Sequence, residues 1–309
     1  MGQRLTGTER ERFRGVFALL LTPFHANGEI DWTAYDAHID WQLAASPQGL
    51  FAVCGTSEMH TLTVEERISL AERAVKRAGG IPVTATANVG EDPQLHPEEL
   101  KRMEQTGVAG IVLVPPPADI GVDPQRKFDY YAKLADACSL PVFLYEWPHR
   151  GHHLLDAGTY GELVRQAGVS GIKDTTCTVD GIRAKLEAAP DSLVYQANMA
   201  FMLEALALGG AGMECIHSAA AARMVVDLWQ AAQAGDDGRA RHLHTRLVFL
   251  NGVLSGGHPA TAKYLARLQG QPMSMTCRAI DAPLKQDRLK AIEVFHQFCR
   301  TELAGAEGE

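Results

Sequence analysis

Eight short, almost wholly apolar runs recur along the chain, each followed by a longer stretch. The runs are VFALLLT (16–22), GLFAVCG (49–55), IPVTATA (81–87), GIVLVPP (110–116), PVFLYE (141–146), GIKD (171–174), LVYQA (193–197) and GMECIH (212–217). Strands that are apolar without alternation are covered on both faces, as in a parallel sheet. The segments between them, such as TVEERISLAERAVKRAG (63–79) and QRKFDYYAKLADACS (125–139), have the apolar period of amphipathic helices. Repeated β–α alternation of this kind predicts a closed (β/α)₈ TIM barrel. No glycine-rich phosphate fingerprint follows the first run, which counts against a doubly wound dinucleotide-binding fold. After residue 225 the pattern is helical only. The expected organisation is a barrel over 12–225, a C-terminal helical appendage over 226–300, and flexible ends at 1–11 and 301–309.

The hydrophobic content of 46% is enough for a large core. A net charge of −8 and a pI near 5.8 argue against nucleic acid or an anionic membrane surface as partner. The six cysteines (54, 138, 177, 215, 277, 299) form no Cys-x-x-Cys pair and suit the reduced thiols of a cytoplasmic protein. The opening MGQRLTGTERERFRG has no apolar signal core. The stretch AFMLEALALGGAGMECI is interrupted by Glu204, Glu214 and glycines, so no membrane span is expected.

In such a barrel the chemistry lies at the C-terminal ends of the strands. GIKDTT (171–176) puts a lysine inside a buried run. A buried amine must be paired, reach solvent, or lose its charge. Lys173 is thus either a strand-end lysine that snorkels or pairs with Asp174, or a nucleophile that forms a Schiff base. In the second reading burial lowers its pKa, and the iminium stabilises a carbanion on the adjacent carbon without a cofactor. Tyr145, ending the fifth run, is either a half-buried aromatic or a proton shuttle. Thr56 and Ser57 form an ordinary turn or offer hydroxyls and N–H groups to a carboxylate.

Taken in order, LLLTPFHANGEID (19–31), CGTSEMHTLTVEER (54–67), LYEWPHR (144–150) and GIKDTT resemble the dihydrodipicolinate synthase / N-acetylneuraminate lyase family of class I aldolases. LEALALGGAGM (203–213) and HPATAKYLARLQG (258–270) are weaker landmarks of the same likeness, which spans residues 12–275. The resemblance implies that Lys173 forms an imine with pyruvate or another 2-oxo acid. It implies that Tyr145 shuttles protons and that Thr56 and Ser57 bind the substrate carboxylate. One of these two hydroxyls joins the relay, which places Ser57 among the catalytic residues. A homotetramer is the usual assembly in that family.

The departures carry information too. GTSE is one residue shorter than the family's G-T-T-G-E, so the roles of Thr56 and Ser57 could be exchanged. VPPPADIG (114–121) stands where dihydrodipicolinate synthases carry an aromatic relay residue from a neighbouring subunit; proline cannot relay a proton and reads as a rigid loop. Glu214 and Glu146 replace residues that are usually neutral, and each either bonds substrate hydroxyls, acts as a base, turns outward or pairs with a neighbouring arginine. Gln196 is a further candidate for a hydroxyl contact. Arg150 is the arginine that grips a carboxylate of the second substrate in lysine-biosynthetic members, or else a loop residue in solvent. HRGHH (149–153) lacks metal-ligand spacing, and no metal is expected.

Three functions follow. The first is a Schiff-base lyase, aldolase or dehydratase, acting on pyruvate or a 2-oxo acid such as a 2-keto-3-deoxy sugar acid. The second is 4-hydroxy-tetrahydrodipicolinate synthase, favoured by Arg150 and opposed by VPPPADIG. The third is a non-catalytic keto-acid-binding protein on the same scaffold.

Overall fold

The computed structural model describes residues 5–147, 153–280 and 283–305. At its centre are eight parallel strands: β1 (Gly15–Leu19), β2 (Gly49–Val53), β3 (Val83–Thr86), β4 (Gly110–Leu113), β5 (Val142–Tyr145), β6 (Gly171–Asp174), β7 (Leu193–Gln196) and β8 (Gly212–Met213). They pair in sequence order, and β8 returns to β1 to close the barrel. Seven of the predicted runs contain their strands, and β1 begins one residue before its run, at Gly15. Most strands stop before their runs do, because the last residues of a run leave the sheet to build the barrel mouth.

The barrel interior is filled rather than hollow. Phe17, Phe143 and Tyr195 meet there, with ring centroids 5.7 Å (Phe17–Tyr195) and 6.0 Å (Phe143–Tyr195) apart. The Tyr195 hydroxyl donates to the Phe13 carbonyl and so is satisfied at the closed end. Closure itself depends on glycine. A Cβ on Gly212 would lie 1.9 Å from the Gly15 carbonyl oxygen across the β1–β8 seam.

Helices cover the outside. α1 (Gly7–Arg12) precedes β1; α2 (Trp32–Ala44), α3 (Val64–Arg77) and α4 (His96–Glu104) follow the first three strands. A single turn, α5 (Ala118–Gly121), leads into α6 (Pro124–Asp136), and α7 (Ala157–Glu162), α8 (Val179–Ala188), α9 (Met202–Ala207) and α10 (Ser218–Gln233) complete the ring. Sequence sets these starts: the Thr63 hydroxyl accepts from the Glu66 N–H at 3.1 Å while the Glu66 carboxylate accepts from the Thr63 N–H at 2.9 Å.

The C-terminal region comprises α11 (Asp237–Leu254), α12 (Ala260–Leu268), α13 (Gln286–Phe298) and α14 (Arg300–Ala304). The expected boundary at 225/226 falls inside α10, the helix that belongs to β8, so the appendage begins after it. The described parts of the ends expected to be flexible, at 1–11 and 301–309, include helix. Residues 7–12 form α1, and α14 buries Leu303. Arg278, in the loop between α12 and α13, donates to both Glu66 carboxylate oxygens at 2.7 Å. Among the described residues no helix is long and apolar enough to cross a membrane.

Gly212→Ala should be among the most disruptive single changes available, since the added methyl meets backbone rather than a movable side chain. We expect a loss above ~4 kcal/mol or no soluble protein, read by urea unfolding. A near-parental midpoint would show that the seam tolerates a side chain.

Candidate active site

The β5–β6 register sets Tyr145 opposite Lys173, so strand pairing alone brings phenol and amine together. The Lys173 ammonium nitrogen lies 4.3 Å from the centroid of the Tyr145 ring and 5.5 Å from that of Phe51. The residue is only 4% exposed. The Tyr145 hydroxyl sits against the Gly55 turn, 3.7 Å from where a Gly55 Cβ would stand.

These groups line a cavity of about 510 Å³ at the C-terminal mouth of the barrel. Part of its lining comes from the strand ends, including Thr56, Tyr145, Lys173 and Glu214, and part from the C-terminal region, including Asn251, His258 and Ala279. Trp147 stacks on Tyr145 (6.4 Å, 11°), and His60 stacks on Trp147 (5.5 Å, 18°), giving the cavity a flat aromatic side.

Burial does not leave Lys173 uncharged, contrary to the sequence expectation. Desolvation pushes its pKa down, but Tyr145, Glu214, Cys54 and Cys215, negative when ionised, together outweigh it and the pKa is raised. With its pKa shifted upward, attack by this nitrogen requires a proton acceptor. Glu214 fits that description. It is 4% exposed, lines the cavity, and burial lifts its pKa to about 7 against the opposing pull of Lys173.

Other predicted residues are placed elsewhere. Ser57 lines no part of the cavity. Its hydroxyl accepts from the Cys54 N–H at 3.2 Å and is shared between the Leu20 carbonyl at 2.7 Å and the Ala52 carbonyl at 3.0 Å. The shortened GTSE turn thus leaves Thr56 as the hydroxyl that faces the cavity. Glu58, next in the chain, takes a left-handed conformation (φ 61°) and anchors the C-terminal region. Its carboxylate accepts from Lys263 at 2.7 Å and from the Arg278 and Ala279 N–H groups at 2.7 and 2.8 Å.

Glu146 and Gln196 turn away from the cavity. Glu146 accepts from the Leu155 and Thr175 N–H groups, both at 2.9 Å, and from Lys185 at 2.6 Å. Its partner is therefore a lysine on α8, not the arginine considered from sequence. Lys185 also bonds Asp174 at 2.7 Å, and Gln196 donates to the other Asp174 oxygen at 2.9 Å. Asp174 is thereby committed to Lys185 and not to Lys173. The 114–121 segment continues from β4 into the short α5 and contributes nothing to the cavity lining. Arg150 and the HRGHH residues 149–152 lie outside the described residues. Among the described residues no group of three or more His, Cys, Asp or Glu is placed to hold a metal.

Sequence reading did not single out Lys185, Lys263, Trp147 or His258 as site residues. Lys263 and His258 lie in a segment quoted only as a landmark, and Lys185 in RAKLEA has the look of a solvated helix face.

The comparisons with known proteins agree with this geometry. A sequence model of the Dihydrodipicolinate synthetase family matches residues 12–297. The 4-hydroxy-tetrahydrodipicolinate synthase of Chelativorans sp. (strain BNC1) is 30% identical over 290 residues, covering 88% of this chain and 98% of that one. The enzyme of the same name from Pseudomonas savastanoi pv. phaseolicola is 29% identical over 282 residues, covering 88% and 96%. Among solved structures, YagE, an Escherichia coli K12 prophage protein of the dihydrodipicolinic acid synthase family in complex with pyruvate, superposes with a TM-score of 0.87. It is 26% identical, and the match covers 93% of this chain and 99% of that one.

Two stability tests follow. Lys185→Met leaves the Glu146 and Asp174 carboxylates buried without their cation and should cost ~3–5 kcal/mol; a midpoint within 1 M urea of the parent, roughly 1–3 kcal/mol by the usual slope, would contradict the assignment. The second concerns pH. Glu214, raised to about 7 from 4.5, holds its proton more tightly when folded, so its contribution is complete below pH 4.5 and lost as pH rises to 7. Buried His38 and His217, lowered to about 3 from 6.5, act oppositely, contributing above 6.5 and losing it as pH falls toward 3. Relative to the parent, Glu214→Gln should therefore gain up to ~3 kcal/mol at pH 7.5, at ~1.4 kcal/mol per pH unit, and nothing at pH 4.5. A parent–variant gap independent of pH would refute the burial argument.

Proposed function

Because the chain belongs to the dihydrodipicolinate synthetase family, whose members are class I aldolase-type lyases, we propose that it forms a Schiff base between Lys173 and pyruvate or a related 2-oxo acid and uses it for aldol cleavage or dehydration. The observation that carries this reading is the adjacent placement of Lys173 and Tyr145 in the lining of one cavity. The substrate class we favour is a 2-oxo acid such as a 2-keto-3-deoxy sugar acid.

The reaction begins with a proton leaving the Lys173 ammonium, for which Glu214 is the acceptor nearest in strength. The freed amine adds to the ketone carbon, and Tyr145 protonates the oxygen as it becomes a hydroxyl. A proton passing from the nitrogen to that hydroxyl releases water and leaves the iminium, and Tyr145, now a phenolate, is the base for the next step. In cleavage it takes the proton of the C4 hydroxyl, the C3–C4 bonding pair flows to the iminium, an aldehyde departs, and Tyr145 returns the proton to C3 of the enamine. In dehydration it takes a proton from C3, the enamine so formed expels the C4 hydroxyl, and Tyr145 returns the proton to make that leaving group water. Hydrolysis of the iminium then returns the amine. Thr56 offers its hydroxyl to the substrate carboxylate. In this scheme the imine is the electron sink and no added cofactor takes part.

A second reading, 4-hydroxy-tetrahydrodipicolinate synthase, is favoured by the name that the Chelativorans and Pseudomonas relatives share and by Arg150 in the sequence. The proline-rich segment after β4 opposes it. Borohydride reduction in the presence of pyruvate should add the mass of one reduced pyruvate to Lys173, and Lys173→Ala should abolish the adduct. If no member of a 2-oxo acid panel labels Lys173, the proposal fails. Turnover of sugar-acid substrates against turnover of pyruvate plus aspartate semialdehyde separates the two readings, and labelling without any turnover supports the keto-acid-binding alternative.

A further inference from the structure

We propose that His258, contributed by the C-terminal region, is a positioning residue that fixes the direction of the Thr56 hydroxyl beside Tyr145. This inference rests on the Schiff-base reading for its kinetic consequence but not for its geometry. His258 stands between α11 and α12 and forms part of the cavity wall. Its Nε2 lies 3.1 Å from the Thr56 Oγ, a contact between residues 202 positions apart in the chain. Thr56 follows Gly55, against which the Tyr145 hydroxyl rests. Phenol, hydroxyl and imidazole therefore border one stretch of the wall.

A threonine hydroxyl with only water for a partner rotates freely about its C–O bond. One held by an imidazole does not. The ring is kept neutral: burial, then the charges of Lys173 and Lys263, lower its pKa to about 4. A neutral imidazole has one donor and one acceptor nitrogen. Its Nδ1 is buried with no hydrogen-bond partner, so the bond to Thr56 is where the ring's hydrogen-bonding capacity is used. If Nε2 carries the proton, His258 donates to Thr56 and the threonine proton is directed into the cavity. If Nδ1 carries it, Thr56 donates to the ring and only its lone pairs face inward. Either tautomer gives the hydroxyl a single sense, and the first leaves its proton free for the substrate carboxylate or for exchange with Tyr145. Cationic neighbours would disfavour an imidazolium here, so the role is orientation and not acid catalysis.

The prediction concerns hydrogen bonding and not bulk or charge. His258→Phe keeps a ring but removes the bond, and should lower kcat about 10–100-fold, the effect of losing one buried hydrogen bond at ~1–3 kcal/mol, with KM changed less than threefold. His258→Gln, which restores an amide near the Nε2 position, should recover most of kcat. Thr56→Val should lose activity similarly, and the Thr56→Val/His258→Phe double variant should be no worse than Thr56→Val alone. Parental kcat in His258→Phe, equal damage in the Gln and Phe variants, or additive losses in the double variant would each overturn the proposal. If His258→Phe does not fold, nitrogen NMR of the ring decides the matter. The parent should show one neutral tautomer that does not titrate between pH 5 and 8, and Thr56→Val should change the tautomer ratio. An unchanged ratio would overturn the proposal. Since the NMR needs no substrate, a failed Schiff-base reading and a failed positioning role give different results.

Discussion

The closure of β8 onto β1 is the constraint on which the site depends. A side chain on Gly212 would run into the Gly15 backbone, so β8 can carry none at the crossing. This contact sets the position of β8 and therefore of Glu214, two residues beyond the crossing. It also fixes the ring in which β5 and β6 are neighbours, and from that register Tyr145 and Lys173 meet. A single backbone approach on one side of the barrel thus sets distances among side chains on several strands.

Buried lysines around the barrel mouth show how environment assigns roles to one residue type. Lys185 is held between Glu146 and Asp174, and Lys263 between Glu58 and the Thr276 carbonyl, all within 2.6–2.7 Å. Those amines satisfy nearby carboxylates and tie elements together. Lys173 lies over aromatic faces at the edge of a cavity. An amine with full ionic partners has no reason to react; one facing open space and a phenol does. The shared carboxylates around Lys185 and Lys263 keep those cations from competing for the same acceptors as Lys173.

Much of this was legible in the sequence. Continuous apolar runs identify buried parallel strands, and their alternation with helices identifies the barrel, because both patterns follow from burial along one chain segment. GIKD and LYE place lysine and tyrosine at strand ends for the same reason. What escaped detection depends on contacts between distant segments. The outward turn of Glu146 toward Lys185, the use of the Ser57 hydroxyl by the Leu20 and Ala52 carbonyls, and the meeting of His258 with Thr56 cannot be read from local periodicity. The upward shift of the Lys173 pKa escaped detection because burial was weighed without the opposing influence of Tyr145 and then Glu214.

The cavity has two walls of different origin. Strand ends carry Lys173, Tyr145 and Glu214, whereas Asn251, Ser255, His258, Pro259 and Ala279 come from the C-terminal region. The second wall is riveted to the first through Glu58, Lys263, Arg278 and Glu66. The cavity lining is therefore drawn from two separable stretches of polypeptide. A chimera that exchanges everything after α10, while retaining those four fastening residues, would present the same Lys173 amine to a differently shaped chamber.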